Sequence, residues 1–351
     1  MRHEAGPDPA AADGARVILF VADGAGVTAW SAGYLAAGAA GRALAVAGLP
    51  VTGLVASRNT SRRAPESASS ASALATGVAT YYRAVSVGPD SLPRTTVLEA
   101  AEAAGLATGV VTTTTLVDAT PAAFLAHARH RYDDQAAIAE QIAASPAEVL
   151  MGDGRGWFDG SLRPDGRDLL SSMTDRFSLV ESGTELRAVD PGEVDALLGL
   201  FSMDLLRDPA RRDPSLAEMT RAALQVLDRD PDGFFLLVEN EHTDHSSHEN
   251  LPQDVIAAEI LSLDDAVAEA LAYQREHPET LVIVASDHET GGMALLPREG
   301  GGVEARWPVT GHTAALVPIF AKGPGAEGFG GFHEMEEIGR LLLAAVGAAP
   351  E

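Results

Sequence analysis

Three apolar runs constrain this chain most. RVILFVA (16–22), FFLLV (234–238) and LVIVA (281–285) are continuous, not alternating, and each ends against acids or histidines. The first meets Asp23-Gly24, the second the string ENEHTDHSSH (239–248), the third Ser286 and then Asp287-His288-Glu289-Thr290. A strand buried on both faces reads as an unbroken apolar run, and such strands belong to parallel sheets covered by helices. Carboxylates and imidazoles just past such strands stand where open α/β sheets keep their active sites. A serine lies in a fourth segment, Pro65-Glu66-Ser67-Ala68-Ser69, ahead of an Ala/Ser-rich stretch (68–79) that reads as a helix.

Further strands are expected at 51–56, 107–112, 177–180, 197–201 and 317–321, and helices at 96–104, 133–144, 216–227, 255–276 and 334–345. Asp118-Ala119-Thr120-Pro121 reads as a turn with Pro121 in the first turn of a helix. Residues 122–131 are expected to continue that helix and set His127 and Arg131 on one face, four apart. The stretch 291–310 reads as a loop or small excursion. The alternation of strands and helices makes the fold class α/β, in one large domain over 16–351. Residues 1–15 are polar, small and Pro/Gly-containing. They read as a flexible tail without the apolar stretch of a secretion signal, so export by that route needs a signal not found there.

Composition excludes several chemistries. The 351 residues contain no cysteine, which removes disulfides, thiolate metal sites and thiol catalysis. Any metal must be held by oxygen and imidazole, a donor set that suits zinc, magnesium, manganese or cobalt. A net charge of −25 argues against nucleic acid or an anionic membrane as partner. Lys322 is the only lysine, so nearly all positive charge is arginine. An acidic surface repels phosphate esters at long range, and an anionic substrate would need a strongly positive local site. No run approaches the roughly 20 apolar residues that span a bilayer.

Taken singly the motifs leave ordinary alternatives open. Asp23 could be a helix-capping aspartate, or a carboxylate bridging two cations. Asp244 and His248, four apart, would share a helix face and could grip one ion. Asp287 and His288 adjoin, but past a strand end the backbone can turn both toward one point. His312, in Gly311-His312-Thr313, could be a plain loop residue, and Arg131 a surface ion-pair partner.

Together, in this order, the strings DGAG (23–26), ESASSASALATG (66–77), TTTTLVDATPAAFLAHARHR (112–131), GFFLLVEN (233–240) with Asp244 and His248, SDHETGG (286–292) and GHT (311–313) resemble the alkaline phosphatase family. The resemblance runs from about Val17 to Gly323. It implies a three-layer α/β/α sandwich with a large central, mostly parallel sheet. It also implies hydrolysis of phosphate monoesters through a phosphoserine on Ser67, two zinc ions and one magnesium. Asp244, His248 and His312 would hold one zinc; Asp23, Asp287 and His288 the other. Glu239, Thr120 and a second oxygen of Asp23 would hold the magnesium, with Asp118 supporting its waters. Arg131 would clamp the phosphate. Small phosphate monoesters are the implied substrates, a homodimer is a possible assembly, and the implied location is periplasmic or extracellular.

Some positions depart from the family's best-known bacterial member. Glu66 replaces the usual aspartate before the nucleophile, which alters its reach toward Arg131. His245, at a variable position, could with Asp118 shift the third site from magnesium to another divalent ion. Thr290 stands where some members have a histidine. The short 288–312 segment suggests reduced surface insertions and leaves the dimer interface open. The competing readings are a phosphodiesterase or sulfatase-like neighbour, which lacks the combination Arg131, Thr120 and Glu239, and a non-catalytic metal- or phosphate-binding protein.

Overall fold

The computed structural model describes residues 14–61 and 64–348. Most of the expected tail and residues 62–63 therefore lie outside the described residues. Fourteen strands are numbered in chain order: β1 Ala15–Ala22, β2 Val51–Ala56, β3 Ala107–Thr115, β4 Val149–Asp153, β5 Ser178–Val180, β6 Leu197–Leu200, β7 Gly233–Asn240, β8 Thr280–Ala285, β9 Glu289–Thr290, β10 Ala294–Pro297, β11 Val303–Arg306, β12 His312–Thr313, β13 Val317–Lys322 and β14 Gly331–Glu334. Ten of them form one sheet in the order β14-β2-β13-β8-β1-β7-β3-β4-β6-β5. Every neighbouring pair is parallel except the two made by β13, which runs against both β2 and β8.

The continuous apolar runs are explained by burial on both faces. Along β1, Val17, Leu19 and Val21 enter one core, with Ala68, Leu74, Phe124 and Ile138. The alternate residues Ile18, Phe20 and Ala22 enter a second core, with Trp30, Leu224, Ile256 and Ile260. Successive side chains of a strand point to opposite faces, so each core strand must be apolar at every position. The first core is roofed by helices Ser67–Thr76, Val97–Ala103, Ala119–Leu125, Gln135–Ala144 and Met335–Ala345. The second is roofed by helices Val27–Ala39, Leu216–Leu227 and Gln253–Glu276. This is the α/β/α sandwich with a mostly parallel sheet.

One expected helix is shorter than its sequence suggests. The helix that begins at Ala119 stops at Leu125, and Ala126 is extended, so His127 and Arg131 share no helix face. The cause is a competing pairing. Ala128 and Val85 exchange two backbone hydrogen bonds of 2.9 Å, and the Arg131 amide donates to the Arg83 carbonyl at 2.9 Å. These bonds satisfy backbone groups that a helix would otherwise have to satisfy. The 291–310 excursion is a two-stranded ribbon, β10 with β11. The helix Val27–Ala39, the strand β4 and the edge strand β14 are not anticipated by the sequence reading.

The centre of the first core offers a direct test. Phe235 of β7 is fully buried and stacks on Phe124 with ring centroids 5.9 Å apart. Phe235→Ala should lower stability by about 3–5 kcal/mol through lost burial and a cavity. The shift in denaturant midpoint at unchanged m-value reads it.

Candidate active site

The site is built on the carboxyl edge of adjacent strands. Asp23 follows β1, Glu239 and Asn240 end β7, Asp287 and His288 follow β8, and Asp118 follows β3. These four strands are neighbours, in the order β8-β1-β7-β3, so their loops converge. The reversed strand β13 starts at the same edge, and β12, just before it, brings His312 in from the other chain direction. Gly24 closes the first loop. Its φ is 71°, its amide donates to Asp287 Oδ1 at 3.0 Å, and a Cβ there would lie 2.7 Å from Asp244. Both the backbone angle and the close approach require glycine.

Ser67 is the first residue of its helix, and Glu66 is the N-cap. The Glu66 carboxylate accepts from the amides of Ala68 at 3.0 Å and Ser69 at 2.7 Å. Those two amides are thus occupied by the cap and are not free for another anion. The Ser67 hydroxyl lies 3.2 Å from His288 Nε2. Arg131 is nearly buried and held between two acids: Glu66 Oε2 lies 3.6 Å from its Nη1, and Asp118 receives a short bond from its Nη2. Burial opposes ionisation of Glu66, but Arg131 and the amides of Arg83 and Ser69 outweigh it and keep the carboxyl below its ordinary range.

Three imidazoles are aimed by their far nitrogens. His248 Nδ1 is bonded to the Thr310 carbonyl at 2.5 Å, and His312 Nδ1 to the Pro65 carbonyl at 2.9 Å. A carbonyl accepts only, so each Nδ1 carries its proton and each Nε2 is turned into the site. The two Nε2 atoms are 3.0 Å apart, and His248 Nε2 is 3.2 Å from Asp244 Oδ2. His288 Nδ1 lies 3.3 Å from the Thr290 hydroxyl, which also donates to Asp244. His288 Nε2 lies 3.1 Å from Asp287 Oδ2 and 3.5 Å from Asp23 Oδ1.

Donor atoms of Asp244, His248 and His312 lie within 4.8 Å of one another, and so do those of Asp23, Asp244 and His288. Asp244 therefore stands between the two groups. Its α-helix, His242–His248, sets Asp244 and His248 one turn apart, as the four-residue spacing anticipates. Glu239 is 1% exposed, and its Oε2 accepts from Thr112 at 2.5 Å. Asp23 Oδ1, Asp287 Oδ2 and the Thr120 hydroxyl are buried without a hydrogen-bond partner. Unpaired buried oxygens are costly. Divalent cations would satisfy these oxygens, so the donor set fits metal ions.

Electrostatics support the same reading. Burial, reinforced by Asp287 and Asp244, pushes Asp23 well above the usual carboxylate range. Burial also lifts Glu239 to about 8 and Asp287 to about 7. Asp244 goes the other way, because His248, His288 and His312 outweigh its burial. Its hydrogen bond holds His248 up at about 9, whereas burial drops His288 and His312 to about 4. His245 is turned outward to Glu249, 3.3 Å away. Two neighbours not singled out from sequence belong to the site: Thr112, on Glu239, and Glu241, lifted to about 8 by burial and by Asp118 and Asp244.

Residues 15–304 match the family model for alkaline phosphatase. The chain belongs to the alkaline phosphatase family. It is a hydrolase of phosphate monoesters. Streptomycin-6-phosphate phosphatase of Streptomyces griseus is 34% identical over 97% of this chain and 92% of its own length. Alkaline phosphatase of Escherichia coli K12 is 30% identical over 94% and 86%. Repressible alkaline phosphatase of Saccharomyces cerevisiae is 34% identical, but the match spans 65% of this chain and 46% of the yeast protein. Among solved structures, the alkaline phosphatase of the Antarctic bacterium TAB5 superposes with a TM-score of 0.86 at 30% identity, over 94% of this chain and 98% of that one.

The buried acids make the stability of metal-free protein depend on pH. Folded Asp287 and Glu239 keep protons to about 7 and 8, and His248 to about 9. In the unfolded chain carboxyls have released theirs near about pH 4 and histidines near about 6.5. The folded state thus binds more protons across this window, and its stability falls as pH rises. The lowered His288 and His312 act oppositely, but only below the ordinary histidine value of 6.5. Chelated protein should therefore melt lower at about pH 8.5 than at about pH 6.5, and a bound divalent metal should abolish most of the slope. Scanning calorimetry at both pH values decides it; a flat Tm without metal would refute the assignment.

Proposed function

We propose that Ser67 Oγ attacks the phosphorus of a monoester, breaking the ester P–O bond and releasing the alcohol, and that water then hydrolyses the resulting phosphoserine to inorganic phosphate and free Ser67. The observation that carries this is the meeting of Ser67 Oγ, His288 Nε2 and the orphaned oxygens of Asp23 and Asp287 in one buried place. Asp244, His248 and His312 would hold one zinc; Asp23, Asp287 and His288 would hold a second. A mixed oxygen and imidazole set suits zinc. Glu239, Thr120 and Asp23 offer oxygen only, which suits magnesium. A variant of the TAB5 enzyme carries magnesium at a site named M3. When bound, the paired ions would supply charge stabilisation to the attacking and leaving oxygens of an in-line displacement.

The chain's own groups do the rest. Arg131 presents a planar fork to two phosphate oxygens, and Asp118 and Glu66 fix that fork in place. Glu66 holds the first turn of the Ser67 helix through Ala68 and Ser69, so the hydroxyl stays aimed at His288. The thirteen-residue spacing of Asp118 and Arg131 is closed by the bridge at Ala128, not by a helix. Among the described residues no helix is long and apolar enough to cross a membrane. The proposed location is periplasmic or extracellular, on the resemblance to the family.

Metal stoichiometry of active protein, paired with nitrophenyl phosphate turnover before and after chelation, tests the reading. Chelation should abolish turnover, and zinc with magnesium should restore it. Ser67→Ala should keep the metal and lose the phosphoserine trapped at low pH, with turnover down by on the order of 10³-fold or more. Arg131→Ala should reduce kcat/KM by about ten- to a hundredfold, as expected for losing charged hydrogen bonds, and leave metal content near that of wild type. Full turnover by the Ser67 variant would overturn the covalent route.

A further inference from the structure

Beside Arg131 stands a second arginine with an unusual backbone. Arg83 has a φ of 67°, in the left-handed region that an arginine rarely adopts. Its amide donates to Glu66 Oε1 at 2.8 Å, and its carbonyl accepts from the Arg131 amide at 2.9 Å. Arg83 is therefore pinned between the two residues that flank the phosphate position. Glycine would meet the same backbone demand without strain. What arginine adds is its side chain, and strain of this kind at a site points to use.

That side chain is half-buried. The Arg83 guanidinium lies over the Tyr132 ring, 5.0 Å from its centroid, and 5.1 Å from that of Tyr82. Arg131 lies over the same Tyr132 ring at 4.8 Å. Tyr132 is 51% exposed, so the ring ties the buried clamp to open solvent. The two arginines differ in charge balance. Arg131 is neutralised by Asp118 and Glu66, whereas no carboxylate of the described residues pairs with Arg83. A guanidinium held by its face on a ring keeps its N–H edge for an anion.

We propose that Arg83, steadied by Tyr132, is a specificity-determining residue for the alcohol part of the ester, favouring phosphate monoesters that carry a second anionic group. This rests on the phosphomonoesterase reading above. A chain of net charge −25 repels such esters at long range, and a cation beside Arg131 that has no carboxylate partner among the described residues would offset that. An ester whose alcohol bears only hydroxyls gains nothing from Arg83, and one with a cationic alcohol, such as a phosphorylated aminoglycoside, is disfavoured by it.

The test compares the metal-loaded enzyme with Arg83→Gly and Arg83→Lys on glycerol 2-phosphate, 3-phosphoglycerate and streptomycin 6-phosphate. Glycine keeps the backbone angle, and lysine keeps the charge. In the Gly variant the ratio of kcat/KM for 3-phosphoglycerate over glycerol 2-phosphate should fall by roughly tenfold, through KM, as expected for one lost charged hydrogen bond. The ratio for streptomycin 6-phosphate over glycerol 2-phosphate should rise. The Lys variant should recover part of the first ratio, and added salt should shrink it in wild type. Equal losses on all three esters would show that Arg83 acts only through the backbone of Arg131 and Glu66, and would overturn the proposal. So would unchanged ratios. A wild-type enzyme that cleaves none of the esters would instead overturn the phosphomonoesterase reading.

Discussion

The crowding of buried carboxylates is the constraint on which the rest of this structure depends. Asp23, Glu239, Asp244 and Asp287 are all nearly or fully buried, and they are ionisable groups within one another's field. Burial and mutual repulsion both oppose their ionised forms. Burial lifts most of these pKa values, and His248 sets positive charge beside Asp244. The sheet tolerates this because Asp23, Glu239 and Asp287 sit at strand ends, where the backbone is already fixed by parallel neighbours, while Asp244 is held on the helix that follows β7. Cohesion lies in the two apolar cores, and the site is carried at their common edge.

Precision comes from contacts one step out. Carbonyls of Pro65 and Thr310 set the tautomers of His312 and His248, and Thr290 holds both Asp244 and His288. Glu66 caps the helix of Ser67 and faces Arg131, so the proposed nucleophile and the proposed phosphate clamp are positioned by one carboxylate. A side chain that serves two partners links their geometries: Glu66 Oε2 lies 3.6 Å from Arg131 Nη1, and Asp118 is closer to Nη2.

Much of this is legible in sequence because burial on two faces leaves a plain signal. β1, β7 and β8 show as unbroken apolar runs, and the acids of the site stand at or just past the ends of those runs. The pairing of Asp244 with His248 is readable from helical spacing alone. Other parts carry no such signal. The helix Val27–Ala39 is built of small and apolar residues on every side, so periodicity does not reveal it. The loop that carries Arg131 looks helical locally and is held open by a bridge to a segment more than forty residues earlier. Backbone carbonyls that orient histidines have no residue signature at all, and Arg83 stands out only once its φ is known.

The reversed strand β13 has a consequence for how the protein is made. Because its direction brings His312 to the common edge from the carboxyl-terminal part of the chain, the first cluster draws on residues more than sixty positions apart. A polypeptide still emerging from the ribosome can pair β1 with β7 and β8 well before that histidine is available. The donors Asp23, Asp244 and His288 are all present once residue 288 is made, whereas the group of Asp244, His248 and His312 is complete only at residue 312, so the two donor groups become available in a fixed order along the chain.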